Sequence, residues 1–119
     1  MMADKHRKHP ALIISEAAVA HKAHAAGFCA GGEAILHAAT AAAKKAEEES
    51  DRLTQTEDTI YENTMLAVRD ATRDIAYCDV PKNAFYEAIG QVQSYENGYK
   101  NGAGGTRDII CDTAIKGIK

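Results

Sequence analysis

The chain has 119 residues, a formal net charge of −3 and a hydrophobic content of 45%. This length suits one domain with a core of its own. The slight negative charge argues against a general attraction to nucleic acid or to an anionic membrane surface. The apolar run 10–43 is interrupted by glutamate, lysine and histidine side chains, which excludes it as a membrane span.

Both the N-terminal segment and the cysteines favour a protein of the cytoplasm. Residues 1–9 are polar and basic, and we predict that they form a disordered tail ahead of one helical domain at 10–119. The tail leads into only a short apolar stretch, which is unlike the core of a signal peptide. The three cysteines are an odd number without a CxxC pair, so neither a disulfide framework nor a zinc finger follows.

The alanine-rich region 10–51 predicts either one long helix or a helical hairpin. Alanine supplies 15 of the 36 residues from Ala11 to Ala46, and it is the best helix former. Pro10 suits the first turn of a helix, and Gly31-Gly32 is the point where the helix either continues or breaks. Small and apolar residues recur at alternating spacings of three and four, as in a heptad seam. That predicted seam consists of Ile14, Ala17, His21, His24, Phe28, Gly31, Ile35, Ala38 and Ala42.

The remaining chain contains an internal repeat with a period of 34 residues. Seven residue types recur at the same internal spacing, which indicates a tandem duplication with units 52–85 and 86–119. Positions eleven apart share one face of a helix, so each unit predicts a helix with a polar ridge. The first ridge is Tyr61, Glu62, Asn63, Thr72, Arg73 and Asp74, and the second is Tyr95, Glu96, Asn97, Thr106, Arg107 and Asp108.

Within one helix Glu62 and Arg73 would be roughly 16 Å apart, and this distance is too long for a direct ion pair. One possibility is an antiparallel register that pairs Glu62 with Arg107 and Arg73 with Glu96. A second is pairing across a homodimer, where a two-fold axis brings a patch against itself. A third is that the polar residues are solvated surface left from a duplication that has drifted.

The junction of the two units contains helix-breaking and capping signals. The segment from Asp79 to Pro81 should end the first helix, and Asp79 or Asn83 should cap the next. The predicted inner face of that next helix is Phe85, Ile89 with Ala88, Val92, and either Tyr95 or Tyr99.

The segment 98–105 has four glycines and allows two interpretations. Local composition predicts a loop, whereas the repeat predicts a helix. In a helix, Gly98, Gly102 and Gly105 would line one face and let another backbone approach closely, and the alanine-rich helix is a suitable neighbour. We favour a helix that breaks near Gly104.

The sequence carries only weak signals for a ligand-binding, metal-binding or catalytic site. A glycine-rich turn at 102–107 could hold a phosphate-bearing ligand with Arg73 and Arg107, although it lacks a P-loop or dinucleotide motif. His21 and His24 lie one turn apart and could bind metal with Cys29 as a third ligand. The serines and cysteines lack the local context of a nucleophile. We therefore expect no catalytic residues and no cofactor.

Taken together, the sequence predicts an all-α, antiparallel helical bundle of three to five helices. The function expected from it is non-enzymatic. The protein would bind another protein as an inhibitor or adaptor and would self-associate, with the residues of the two polar ridges as the contact surface. A binder of a phosphate-bearing small molecule or nucleotide is the first alternative, and a metal-binding bundle around His21 and His24 is the second.

Overall fold

The computed structural model describes residues 7–53, 56–77 and 80–117, and it describes side chains as far as Thr113. The predicted all-α bundle is confirmed, with four helices and no strand in these ranges. The helices are α1 (Pro10–Leu53), α2 (Glu57–Tyr77), α3 (Ala84–Ala88) and α4 (Val92–Gly117). The molecule is elongated, with principal extents of 78 × 30 × 17 Å.

The longest element, α1, runs without interruption for 44 residues. It continues through Gly31-Gly32, because the surrounding alanines favour helix and because both glycines are packed by another helix. At 1.5 Å per residue α1 is about 66 Å long. It therefore serves as the spine against which α2 and α4 pack.

Chain direction differs between the two helices that pack on α1. Only three residues separate α1 from α2, and the two helices contact each other, so they are antiparallel neighbours. In contrast, α4 runs parallel to α1, since Gly27 of α1 lies against Tyr95 and Tyr99 while Gly31 lies against Tyr99 and Ala103. The 38 residues between α1 and α4 return the chain to the part of α1 near His24, which makes this parallel packing possible.

The junction between α2 and α4 differs from the predicted single helix. Asn83 caps α3 as predicted, since its side-chain oxygen accepts hydrogen bonds from the amides of Phe85 (3.1 Å) and Tyr86 (3.2 Å). However, α3 ends after one turn, and Gly90 adopts a φ of 74°, which a non-glycine side chain disfavours. The alternative cap, Asp79, lies outside the described residues.

The predicted inner face of this region is therefore only partly right. Tyr95 and Tyr99 are buried in the core, whereas Phe85, Ile89 and Val92 are exposed. The turn at Gly90 separates the two groups, so they no longer share one face of a continuous helix.

The core lies where α1, α2 and α4 meet, around Ile35, Ala76, Tyr99 and Ala103. Tyr95 belongs to it and stacks on Tyr86 at 5.2 Å between ring centroids. The predicted seam of α1 is right in its second half, because Gly31 and Ile35 are buried and His24, Ala38 and Ala42 are half-buried. It is wrong in the first half, where the exposed members are Ile14, Ala17, His21 and Phe28.

Tyr99 makes the stability of this core sensitive to pH in the alkaline range. Burial raises the pKa of its hydroxyl, and the neighbouring Tyr95 adds to the rise. A raised pKa means that the folded state prefers the neutral phenol, so this contribution is fully present below about pH 10 and is lost as the pH rises further. We expect the urea concentration at the midpoint of unfolding to fall as the pH rises above about 10. Tyr99→Phe should show a smaller fall, and parallel losses in the two proteins would contradict the assignment.

Candidate binding surface

Glycines bring α1 and α4 into backbone contact. A Cβ added at Gly27 or Gly31 would overlap the carbonyl oxygens of Tyr95 or Tyr99 in α4. The arrangement is reciprocal, since a Cβ at Gly98 or Gly102 would overlap the carbonyl oxygens of His24 or Phe28 in α1. These carbonyl oxygens are positioned to accept weak Cα–H···O contacts, which recur where helices approach this closely.

This packing settles the alternatives for segment 98–105. The segment lies inside α4 and is helical throughout, so the predicted break near Gly104 is wrong. Gly98 and Gly102 face α1 as predicted, but a Cβ at Gly105 would meet nothing within 4 Å. Amides in a helix interior are used by the helix itself. The proposed phosphate-binding turn at 102–107 is therefore absent.

The two repeated segments are both helical, one in α2 and the other in α4, but their surroundings differ. Thr72 is 1% exposed, whereas its counterpart Thr106 is half-buried. Tyr61 is exposed, whereas Tyr95 is only 8% exposed. Because Thr72 and Tyr95 are buried, the twelve predicted residues do not form one continuous surface.

Arg107 connects the two helices that contain the repeats. Its guanidinium donates to the Thr72 hydroxyl (3.1 Å), the Arg69 carbonyl oxygen (3.1 Å) and the Tyr77 hydroxyl (3.4 Å). It also lies 5.4 Å from the centre of the Tyr77 ring, within the range of a cation–π interaction. Arg107 thus contacts α2 at Thr72, ten residues after its predicted partner Glu62. The predicted antiparallel register is therefore wrong.

The other residues of the second ridge occupy separate positions on α4. Glu96 is half-buried, and Asn97 accepts a hydrogen bond from the Gln93 amide at 3.0 Å. Asp108 is exposed, and the hydroxyl of Thr106 lies next to Gly32 of α1. These side chains point in different directions, so α4 does not present the predicted polar ridge as one face.

The first ridge contributes to one exposed face of α2, which we call the α2 outer face. The face comprises side chains spaced three or four residues apart, and all of them are exposed: Glu62, Leu66, Asp70, Arg73 and Tyr77. Asn63 and Asp74 are exposed along its edge. Leu66 and Tyr77 were not among the predicted residues. Leu66 follows Glu62 by four residues and Tyr77 follows Asp74 by three, so helical spacing could have identified both as part of this face.

The histidines do not form a metal centre in the described part of the chain. No group of three or more metal-ligating side chains comes together there. His24 contacts the Asn101 amide at 3.3 Å and so joins α1 to α4. His21 and Cys29 are exposed on α1.

No known protein family, curated protein or solved structure matches this chain. In the described residues, no helix combines the length and apolar character needed to cross a bilayer.

Proposed function

We propose that the protein acts by binding another protein, as an inhibitor or adaptor, and that it also self-associates. The α2 outer face is the proposed contact surface for the other protein. We assign no catalytic step to it. We also propose a cytoplasmic location, supported by the free thiols of Cys29 and Cys111, which a reducing compartment preserves.

The observation that carries this proposal is the combination of apolar and charged side chains on the α2 outer face. Leu66 is 46% exposed and Tyr77 is 67% exposed, which leaves two large apolar groups open on one side of the helix. Glu62, Asp70 and Arg73 lie between and around them. Apolar anchors with a charged rim are typical of protein interfaces, and tyrosine and arginine are enriched among the residues that dominate binding.

The structure also favours a defined position for the tyrosine anchor. Arg107 donates to the Tyr77 hydroxyl and lies over its ring. A side chain held in its binding position before association loses less conformational entropy when the partner binds. The partner that fits is a protein with an apolar pocket flanked by charges of both signs.

The test begins with a photoreactive amino acid placed at Leu66 and, as a matched control, at the exposed Lys100 of α4. A protein crosslinked from position 66 and not from position 100 is then purified for affinity measurements. Leu66→Asp and Arg73→Glu should each weaken its binding about tenfold or more. Lys100→Glu should leave the affinity unchanged. If all three variants bound the partner with equal affinity, the α2 outer face would be excluded as the contact surface.

A further inference from the structure

One side of α1 is left uncovered by the other helices. We call it the α1 open face, and its side chains form one stripe because they are separated by three, four or seven residues. The face comprises Ala11, Ile14, Ala18, Ala25, Cys29 and Leu36, all of them exposed. Ile14 is 68% exposed and Leu36 is 53% exposed, so the face leaves apolar surface in water at both ends.

The first turns of α1 have no packing partner within the described chain. Every residue from 10 to 19 is exposed, since the contacts of α4 with α1 begin near Ala23 and His24. Consecutive apolar residues Leu12, Ile13 and Ile14 point in different directions around this arm, about 100° apart. A helix that is apolar on several sides is normally covered by other helices.

Two charges beside the open face are complementary under a two-fold axis. Lys22 and Glu33 are exposed and make no ion pair with another described residue. They are eleven residues apart and therefore lie on the same side of the helix, about 16 Å from each other. A second α1 placed antiparallel, with the axis between Gly27 and Phe28, brings each Lys22 opposite the Glu33 of the other copy.

The same register covers the apolar residues of the face. It places residues 10–19 of one copy along residues 36–45 of the other, where Leu36 and Thr40 are exposed, and it sets Leu36 opposite Ala18 and Val19. The alanines at positions 11, 18 and 25 repeat every seven residues and let two helices pack closely. Cys29 lies close to the axis, and the two Cys29 residues are offset by about 4.5 Å along the helices.

We infer that α1 pairs with α1 of a second copy as an antiparallel dimer across the α1 open face, with Lys22 of each copy against Glu33 of the other. This inference deepens the proposed self-association and rests on it. It is separate from the α2 outer face, which stays available for a different protein.

Charge reversal tests the register. The dimer dissociation constant of the full chain is measured by analytical ultracentrifugation. Lys22→Glu and Glu33→Lys should each weaken the dimer about tenfold, because each replaces two attractions with two repulsions. The double variant should return the constant to within about threefold of the original. Lys100→Glu, which changes the charge by the same amount on α4, should have no effect.

Disulfide crosslinking gives an independent test of the same geometry. In a chain with Cys78→Ser and Cys111→Ser, mild oxidation should produce a covalent dimer through Cys29, and adding Cys29→Ser should abolish it. A monomer at all concentrations would overturn both this dimer and the proposed self-association. A stable dimer that neither crosslinks through Cys29 nor responds to charge reversal would overturn the α1 open face alone. Neither result would affect partner binding at the α2 outer face, which the Leu66 variants test separately.

Discussion

Gly102→Ala is expected to reduce the free energy of unfolding by about 3 kcal/mol, although alanine is the better helix former. The added Cβ would overlap the carbonyl oxygen of Phe28, which belongs to the backbone of α1 and cannot rotate away. The two helices would have to separate, and the contacts at Gly27, Gly31 and Gly98 would be weakened at the same time. Urea unfolding followed by circular dichroism measures the loss.

The same helix provides a matched control. A Cβ at Gly104 or Gly105 would meet no atom within 4 Å. Gly104→Ala and Gly105→Ala should therefore stabilise the protein by about 0.5–1 kcal/mol, as expected from helix propensity alone. If Gly102→Ala were also stabilising, α1 and α4 would not be in backbone contact.

Arg107→Ala is expected to cost about 2 kcal/mol, while Arg73→Ala should change stability by less than about 0.5 kcal/mol. The two arginines occupy equivalent positions in the repeat, but only Arg107 holds α4 against α2, through Thr72, Tyr77 and the Arg69 carbonyl oxygen. Arg73 is exposed on the α2 outer face. Thermal or urea unfolding of both variants measures the difference.

Equal losses for the two arginines would contradict the register between α2 and α4. A further check comes from Thr72→Val, which removes the hydroxyl that accepts from Arg107 and keeps the side-chain size. Combined with Arg107→Ala, it should cost less than the sum of the two single changes, because both remove the same hydrogen bond.

Several local features could be predicted because they depend on neighbouring residues. The alanine content of 10–51 specifies helix, and Asn83 specifies the start of a helix through its side-chain oxygen. The spacing of Gly98 and Gly102 indicated a close helix neighbour, and α1 is that neighbour. In each case the residues that carry the signal lie within one helix or along one helix face.

The candidate surface was only partly predictable. Glu62, Asn63, Arg73 and Asp74 were identified from the repeat and are exposed on or beside the α2 outer face. The repeat gave equal weight to the corresponding residues of α4, where Tyr95 is instead buried. Identical residue types cannot report burial, because burial depends on which helix packs against each copy.

The sequence alone thus determined that this protein is helical and that Asn83 is one of two candidate caps for the helix that follows α2. Only the tertiary structure decided that α4 runs parallel to α1, that Arg107 binds Thr72 and not Glu62, and that one face of α1 is left uncovered. The physical reason is that helix formation follows from propensities and periodicity along the chain. Register and direction between helices depend on side chains far apart in sequence, whose fit is established only when the helices pack together.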